Sequence, residues 1–150
     1  MKLLTLLVPL LGLSSVPAQA TPVACTATSQ AQIVAQFERW NHSLHSGDPR
    51  QVAALYADDA ILLPTLSQRP RLSTAERIHY FEYFLGKQPS GRLDSQHVEL
   101  GCNSASLSGL YTFTFASNGE SVAARYTFNY RWDGQQWLIS SHHSSLLPRG

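Results

Sequence analysis

The sequence predicts an α+β domain, helices first and a long-stranded antiparallel sheet last, on three observations. Apolar residues recur at helical spacing through the first half of the chain. From Arg92 onward the period falls to two. Asn118-Gly119 and Asp133-Gly134, residue pairs that tight hairpin turns favour, separate the alternating runs.

The N-terminus reads as an address. Lys2 gives a positive start, Leu3 to Leu13 is an apolar run too short to span a bilayer, and Ala18-Gln19-Ala20 is a small-x-small cleavage site. Residues 1–20 are therefore expected to be a signal peptide cut after Ala20, and 21–150 one exported domain, in the periplasm or secreted. A lipid on Cys25 is the competing reading, but Pro22 stands where a lipobox wants Leu. Removing 20 of the 150 residues leaves 130, enough for one domain with a core. Loss of Lys2 takes the 11 basic residues to 10, equal to the 10 acids. A neutral chain argues against nucleic acid or, after cleavage, a membrane as partner.

Ala27 to Ser46 carries Ile33, Phe37, Trp40 and Leu44 on one helical face and stops at Gly47. Asp48 as N-cap and Pro49 at the first helical position start a short helix through Val52, Leu55 and Tyr56. Ala60 to Leu63 reads as a strand ended by Pro64, and Ser67 to Leu72 as a loop holding Pro70 and two arginines. Ser73-Thr74-Ala75-Glu76 has capping-box spacing before Ile78, Phe81, Phe84 and Leu85, so a third helix fills 74–86, ended by Pro89-Ser90-Gly91. Candidate strands follow at 94–100, 104–107, 109–116, 122–132 and 136–143, three of them in an antiparallel meander. Such a sheet, curled around one long helix, leaves a cone with a mouth. Cys25 and Cys102 are expected to form a disulfide, given export, with a structural role because no Cys-x-x-Cys is present. Two free buried thiols are the alternative.

Several segments carry a family resemblance: Trp40-Asn41, Gly47-Asp48-Pro49, Ala53-Ala54-Leu55-Tyr56-Ala57, Leu62-Leu63-Pro64, Tyr80-Phe81, Ala124 to Phe128, Trp137-Leu138-Ile139 and His142-His143-Ser144-Ser145. Over residues 30–148 the chain resembles the association domain of calcium/calmodulin-dependent protein kinase II. It also resembles the wider nuclear transport factor 2-like superfamily, which includes SnoaL-like cyclases and ketosteroid isomerases. The resemblance implies a cone-shaped fold with helices packed on a strongly curved sheet, a deep pocket, oligomerisation through the sheet and no cofactor. In the kinase, the pocket is lined by arginine and histidine and binds small carboxylates.

By that resemblance Arg125 is the expected anion-binding residue, with an exposed strand arginine as the alternative. His142 and His143 are adjacent on a strand and face opposite ways. The family's register gives His142 and Ser144 the inward parity of Leu138 and Ser140. His79 falls near a family pocket histidine, and Trp40, Tyr56, Tyr83 and Tyr111 could line the cavity or the core. No Gly-x-Gly-x-x-Gly and no set of metal ligands is present, so neither cofactor nor metal is expected.

Two functions fit. One is an exported, stand-alone pocket protein, at least a homodimer, that binds a small acidic molecule or a protein partner and has no kinase activity. The other is a cofactor-independent isomerase, cyclase or hydrolase with His142, or His79, as general base and Arg125 holding the anion.

Overall fold

The computed structural model describes residues 23–65 and 67–148; the expected signal peptide and its cleavage site at Ala20 lie outside them. Helix α1 spans Gln30–Leu44. It starts later than the expected Ala27 because Ser29 and Gln32 form a reciprocal capping box that satisfies the first free N–H groups. Its Ile33, Phe37, Trp40 and Leu44 are buried as the spacing predicts. Asn41 is buried with them, and its amide pairs with both the C=O and the N–H of Gly91, each at 2.8 Å, tying the helix to the sheet.

Helix α2 is Pro49–Ala53, capped by Asp48. Leu55 and Tyr56 fall outside it, and Tyr56 opens β1, Tyr56–Leu63. Helix α3, Thr74–Leu85, has the Ser73–Glu76 capping box. Four strands then form a meander: β2 Pro89–Gly101, β3 Ser104–Phe115, β4 Glu120–Trp132 and β5 Trp137–Leu146. The sheet order is β1-β5-β4-β3-β2, with β1 parallel to β5 and the other pairs antiparallel.

Three expectations are corrected here. Pro89-Ser90-Gly91 begins β2 instead of merely ending α3. The candidate strands 104–107 and 109–116 are one strand, because Gly109 lets the chain pass a bulge in β2: a Cβ there would lie 2.1 Å from the Ser95 carbonyl oxygen. In the turns, where both central residues are expected at positive φ, Gly119 and Gly134 take it, whereas Asn118 and Asp133 do not.

A bulge also decides which way the end of β5 faces. Tyr130 pairs with Ile139 and Asn129 with Ser141, leaving Ser140 as the extra residue. Trp137 and Ile139 point inward before it, and His142 and Ser144 point inward after it. The parity expected from Leu138 and Ser140 is therefore wrong, although His142 and Ser144 do face in, because one inserted residue inverts the alternation. Beside it, β1 jumps register between Tyr56↔Ile139 and Ile61↔Ser141. The fully buried Arg77 fills that irregularity, donating to the carbonyls of Ala60 at 2.6 Å, Ala57 at 2.9 Å and Asp58 at 3.1 Å.

Cys25 and Cys102 form the expected disulfide across a sequence separation of 77, with Cα atoms 4.9 Å apart. Asn103 reinforces it, accepting from the Thr26 N–H at 2.7 Å and donating to the Ala24 carbonyl at 2.9 Å. No helix among the described residues is long and apolar enough to cross a membrane. Cys102→Ser is predicted to lower unfolding stability by about 2–4 kcal/mol, measured by urea denaturation without reductant. Equal midpoints for the variant and the oxidised protein would refute that.

Candidate functional site

A cavity of about 520 Å³ opens between α3, the β1–α3 loop and the concave face of the sheet. Trp40, Tyr111, His142 and Ser144 are buried in its wall, whereas His79, Tyr83, Lys87, Asn118 and Glu120 are exposed at its rim.

One hydrogen-bond chain sets the chemistry of the inner wall. Trp40 Nε1 lies 3.0 Å from the Tyr56 hydroxyl, which lies 2.9 Å from His142 Nδ1. An indole N–H can only donate, so the Tyr56 oxygen accepts from it; His142 Nδ1 is the one other hydrogen-bond partner of that hydroxyl among the described residues, so the Tyr56 hydrogen is satisfied only by donation to Nδ1, and we assign the tautomer accordingly. A neutral imidazole that accepts at Nδ1 carries its hydrogen on Nε2. That Nε2–H is buried and has no hydrogen-bond partner among the described residues. Burial, with a smaller push from the adjacent His143, moves the His142 pKa from 6.5 down to about 3, so the ring is neutral at physiological pH. Phe128 stacks on it at 3.9 Å and Trp40 meets it edge-on at 5.2 Å, which fixes its plane.

A hydroxyl cluster adds a second donor. Tyr111 donates to Ser144 Oγ at 2.5 Å, and Ser144 Oγ is hydrogen-bonded to Thr65 Oγ1. Burial raises the Tyr111 pKa, keeping its proton in place. Whichever of Ser144 and Thr65 donates to the other, one hydroxyl hydrogen remains for a cavity occupant.

The cation in the wall is Arg71. Backbone bonds between Leu62 and Arg71, at 2.9 and 3.0 Å, clip its loop to β1. Its Nη1 donates to the Arg69 carbonyl at 2.9 Å and its Nη2 to Ser67 Oγ at 3.1 Å, while Nε is buried without a partner among the described residues. The guanidinium lies 5.8 Å from the Tyr80 ring centre, and burial raises the Tyr80 pKa to about 12.

The structure thus brings together Trp40, Tyr111, His142 and Ser144. Tyr56 stands behind the wall as the partner of His142. His79 reaches only the rim, 74% exposed and 3.2 Å from Glu82. Arg125 is corrected: it is exposed on the outer face of β4, because that strand turns Ala124, Tyr126, Phe128 and Tyr130 inward. Sequence reasoning missed Arg71 and Thr65, which lie in irregular chain where no periodicity assigns a face. His142 as a general base is also disfavoured, since Nδ1 is already accepting and Nε2 carries hydrogen. No group of three potential metal-ligating side chains occurs among the described residues.

The family described as calcium/calmodulin-dependent protein kinase II association domain matches residues 29–148. A Xanthomonas campestris crystal structure of that same description is 40% identical, with TM-score 0.76, covering 87% of this chain and 100% of that one. A nuclear transport factor 2-like protein from Pseudomonas putida is 20% identical, with TM-score 0.69, covering 81% of this chain and 89% of its own. An iota-carbonic anhydrase from a cyanobacterium, complexed with bicarbonate, is 18% identical, with TM-score 0.70, covering 88% and 100%. The last two are likenesses of fold. No curated protein matches the sequence.

The neutral His142 carries a pH signature. Between pH 6.5 and about 3 the unfolded chain binds a proton that the folded chain refuses. Stability from this group is full above that window and falls as pH drops through it, by up to about 1.4 kcal/mol per pH unit. Urea midpoints measured across the window should show that slope, and His142→Phe should flatten it; a variant with the wild-type slope would assign the effect elsewhere.

Proposed function

The chain belongs to the calcium/calmodulin-dependent protein kinase II association-domain family, and from that premise we propose that it is a pocket protein binding a small carboxylate-type anion, bicarbonate included. The observation that carries this reading is the Trp40–Tyr56–His142 chain, which leaves the buried Nε2 of His142, a residue that lines the cavity, without a partner among the described residues. A buried donor without an acceptor costs about 1–3 kcal/mol, which an anion's oxygen recovers. The hydroxyls of Thr65 and Ser144 add a second donor, and Arg71 supplies the charge and a planar set of N–H groups suited to a carboxylate. The exposed Arg125 has no part in it.

Export to the periplasm or beyond is part of the proposal. It is supported by the signal-like N-terminus and by a disulfide, a bond that persists in oxidising compartments. A homo-oligomer, at least a dimer, is proposed through the outer sheet face carrying Arg125, Thr127, Asn129 and Arg131.

A second reading is reversible hydration of CO2, favoured by the hydroxyl cluster and by the bicarbonate complex of a protein with the same fold. In it, a water held by the Thr65–Ser144 pair bonds through oxygen to the CO2 carbon. The released proton leaves to solvent, and His142 Nε2–H binds the oxygen that gains charge. Oxygen-18 exchange between CO2 and water separates the readings: catalysed exchange that Ser144→Ala abolishes supports the enzyme, and the uncatalysed rate supports binding alone.

For the anion site itself, Arg71→Gln is predicted to weaken acetate or bicarbonate binding roughly ten- to a hundredfold by calorimetry, the loss of a charged hydrogen-bond partner. Arg125→Gln should leave it unchanged. The reverse pattern would move the site to the outer face.

A further inference from the structure

The cavity is much larger than a simple anion and is built unevenly. Resting on the anion reading above, we propose that the full ligand is an aryl or arylalkyl monocarboxylate, its carboxylate toward Arg71 and His142 and its ring on an aromatic wall. At about 520 Å³ the cavity has the volume of sites that enclose drug-sized molecules, and a water's share of liquid is only about 30 Å³. Bicarbonate or acetate leaves most of it unfilled.

The excess volume is lined by rings. Tyr80 and Phe84 stack at 5.7 Å with planes 17° apart, and Phe84 meets Phe113 edge-on at 5.5 Å and Phe115 at 6.0 Å. An apolar ligand body loses no hydrogen bonds against such a wall, whereas a polar one would be desolvated without partners. Aromatic pairs prefer these stacked and edge-on geometries, so an aryl group extends a pattern already present.

The charges set the polarity and the number of carboxylates. Arg71 marks the Tyr80 end of the wall. At the Phe115 end, Lys87 Nζ lies 5.7 Å from the ring centre, but the carboxylate of Glu120 stands on the same exposed rim. Arg71 has no carboxylate partner among the described residues, while the rim has one charge of each sign. One carboxylate at Arg71 satisfies this; a second at the rim would gain nothing net between Lys87 and Glu120.

Calorimetric titration of the exported protein with acetate, 3-phenylpropionate, 3-phenylpropanol and phenylsuccinate tests the proposal. Phenylpropionate should bind at least tenfold tighter than acetate, the alcohol at least tenfold weaker than phenylpropionate, and the dicarboxylate no tighter than phenylpropionate. Phe84→Leu, which keeps an apolar side chain, should reduce the gain over acetate several-fold while leaving acetate binding unchanged. Equal affinity for acetate and phenylpropionate overturns the ring assignment and leaves the anion site standing. The alcohol binding as tightly as the acid overturns the anion reading itself, and so does binding of none of the four probes.

Discussion

One inserted residue in β5 decides what this molecule can hold. A strand alternates its side chains strictly, so the inward set that begins with Trp137 and Ile139 would continue with Ser141 and His143. The bulge at Ser140 turns that order over and brings in His142 and Ser144 instead. Local bonds support it: Ser140 Oγ donates to the Asn129 carbonyl at 3.1 Å, and Asn129 Nδ2 donates to Ser141 Oγ at 2.6 Å. On the other side β1 pairs across the same stretch through its own irregularity, which the buried Arg77 holds by three carbonyls. Bulges near ligand sites often re-aim side chains in this way.

With His142 inward, its surroundings fix its chemistry. An imidazole between Phe128 and Trp40 cannot keep a charge cheaply, and the Tyr56 hydroxyl takes up its only acceptor nitrogen. The residue that resembles a catalytic base by sequence is thereby made a neutral hydrogen-bond donor. The positive charge comes from a different element, the loop that Leu62 clips to β1. The donor, the hydroxyls and the guanidinium line the same cavity as a set of apolar rings. Such a lining recognises an anion by its oxygens and leaves its remainder to shape and burial.

Much of the fold was legible because it rests on short-range chemistry. The Ser73–Glu76 box, the Asp48-Pro49 start and the apolar faces of α1 and α3 are set by neighbours three or four residues away. Cys25 and Cys102 were paired correctly because only two cysteines exist. The site was less legible. His142, Ser144, Tyr111 and Trp40 are legible as pocket residues, but nothing local marks the bulge at Ser140, so the inward direction of the first two does not follow from Leu138 and Ser140. The resemblance points to Arg125, against the alternation of its own strand, where Ala124, Tyr126 and Phe128 mark the buried face. Thr65 and Arg71 could not be assigned a face at all, because loop chain has no period and their positions depend on a backbone bridge between residues nine apart.

The most direct measurement is a crystal structure of the protein grown with acetate. A carboxylate is expected inside the cavity, one oxygen within hydrogen-bond distance of His142 Nε2 and the other turned toward Arg71. Acetate bound at Arg125 on the outer face, or a cavity holding only water while His142 Nε2 donates elsewhere, would contradict it.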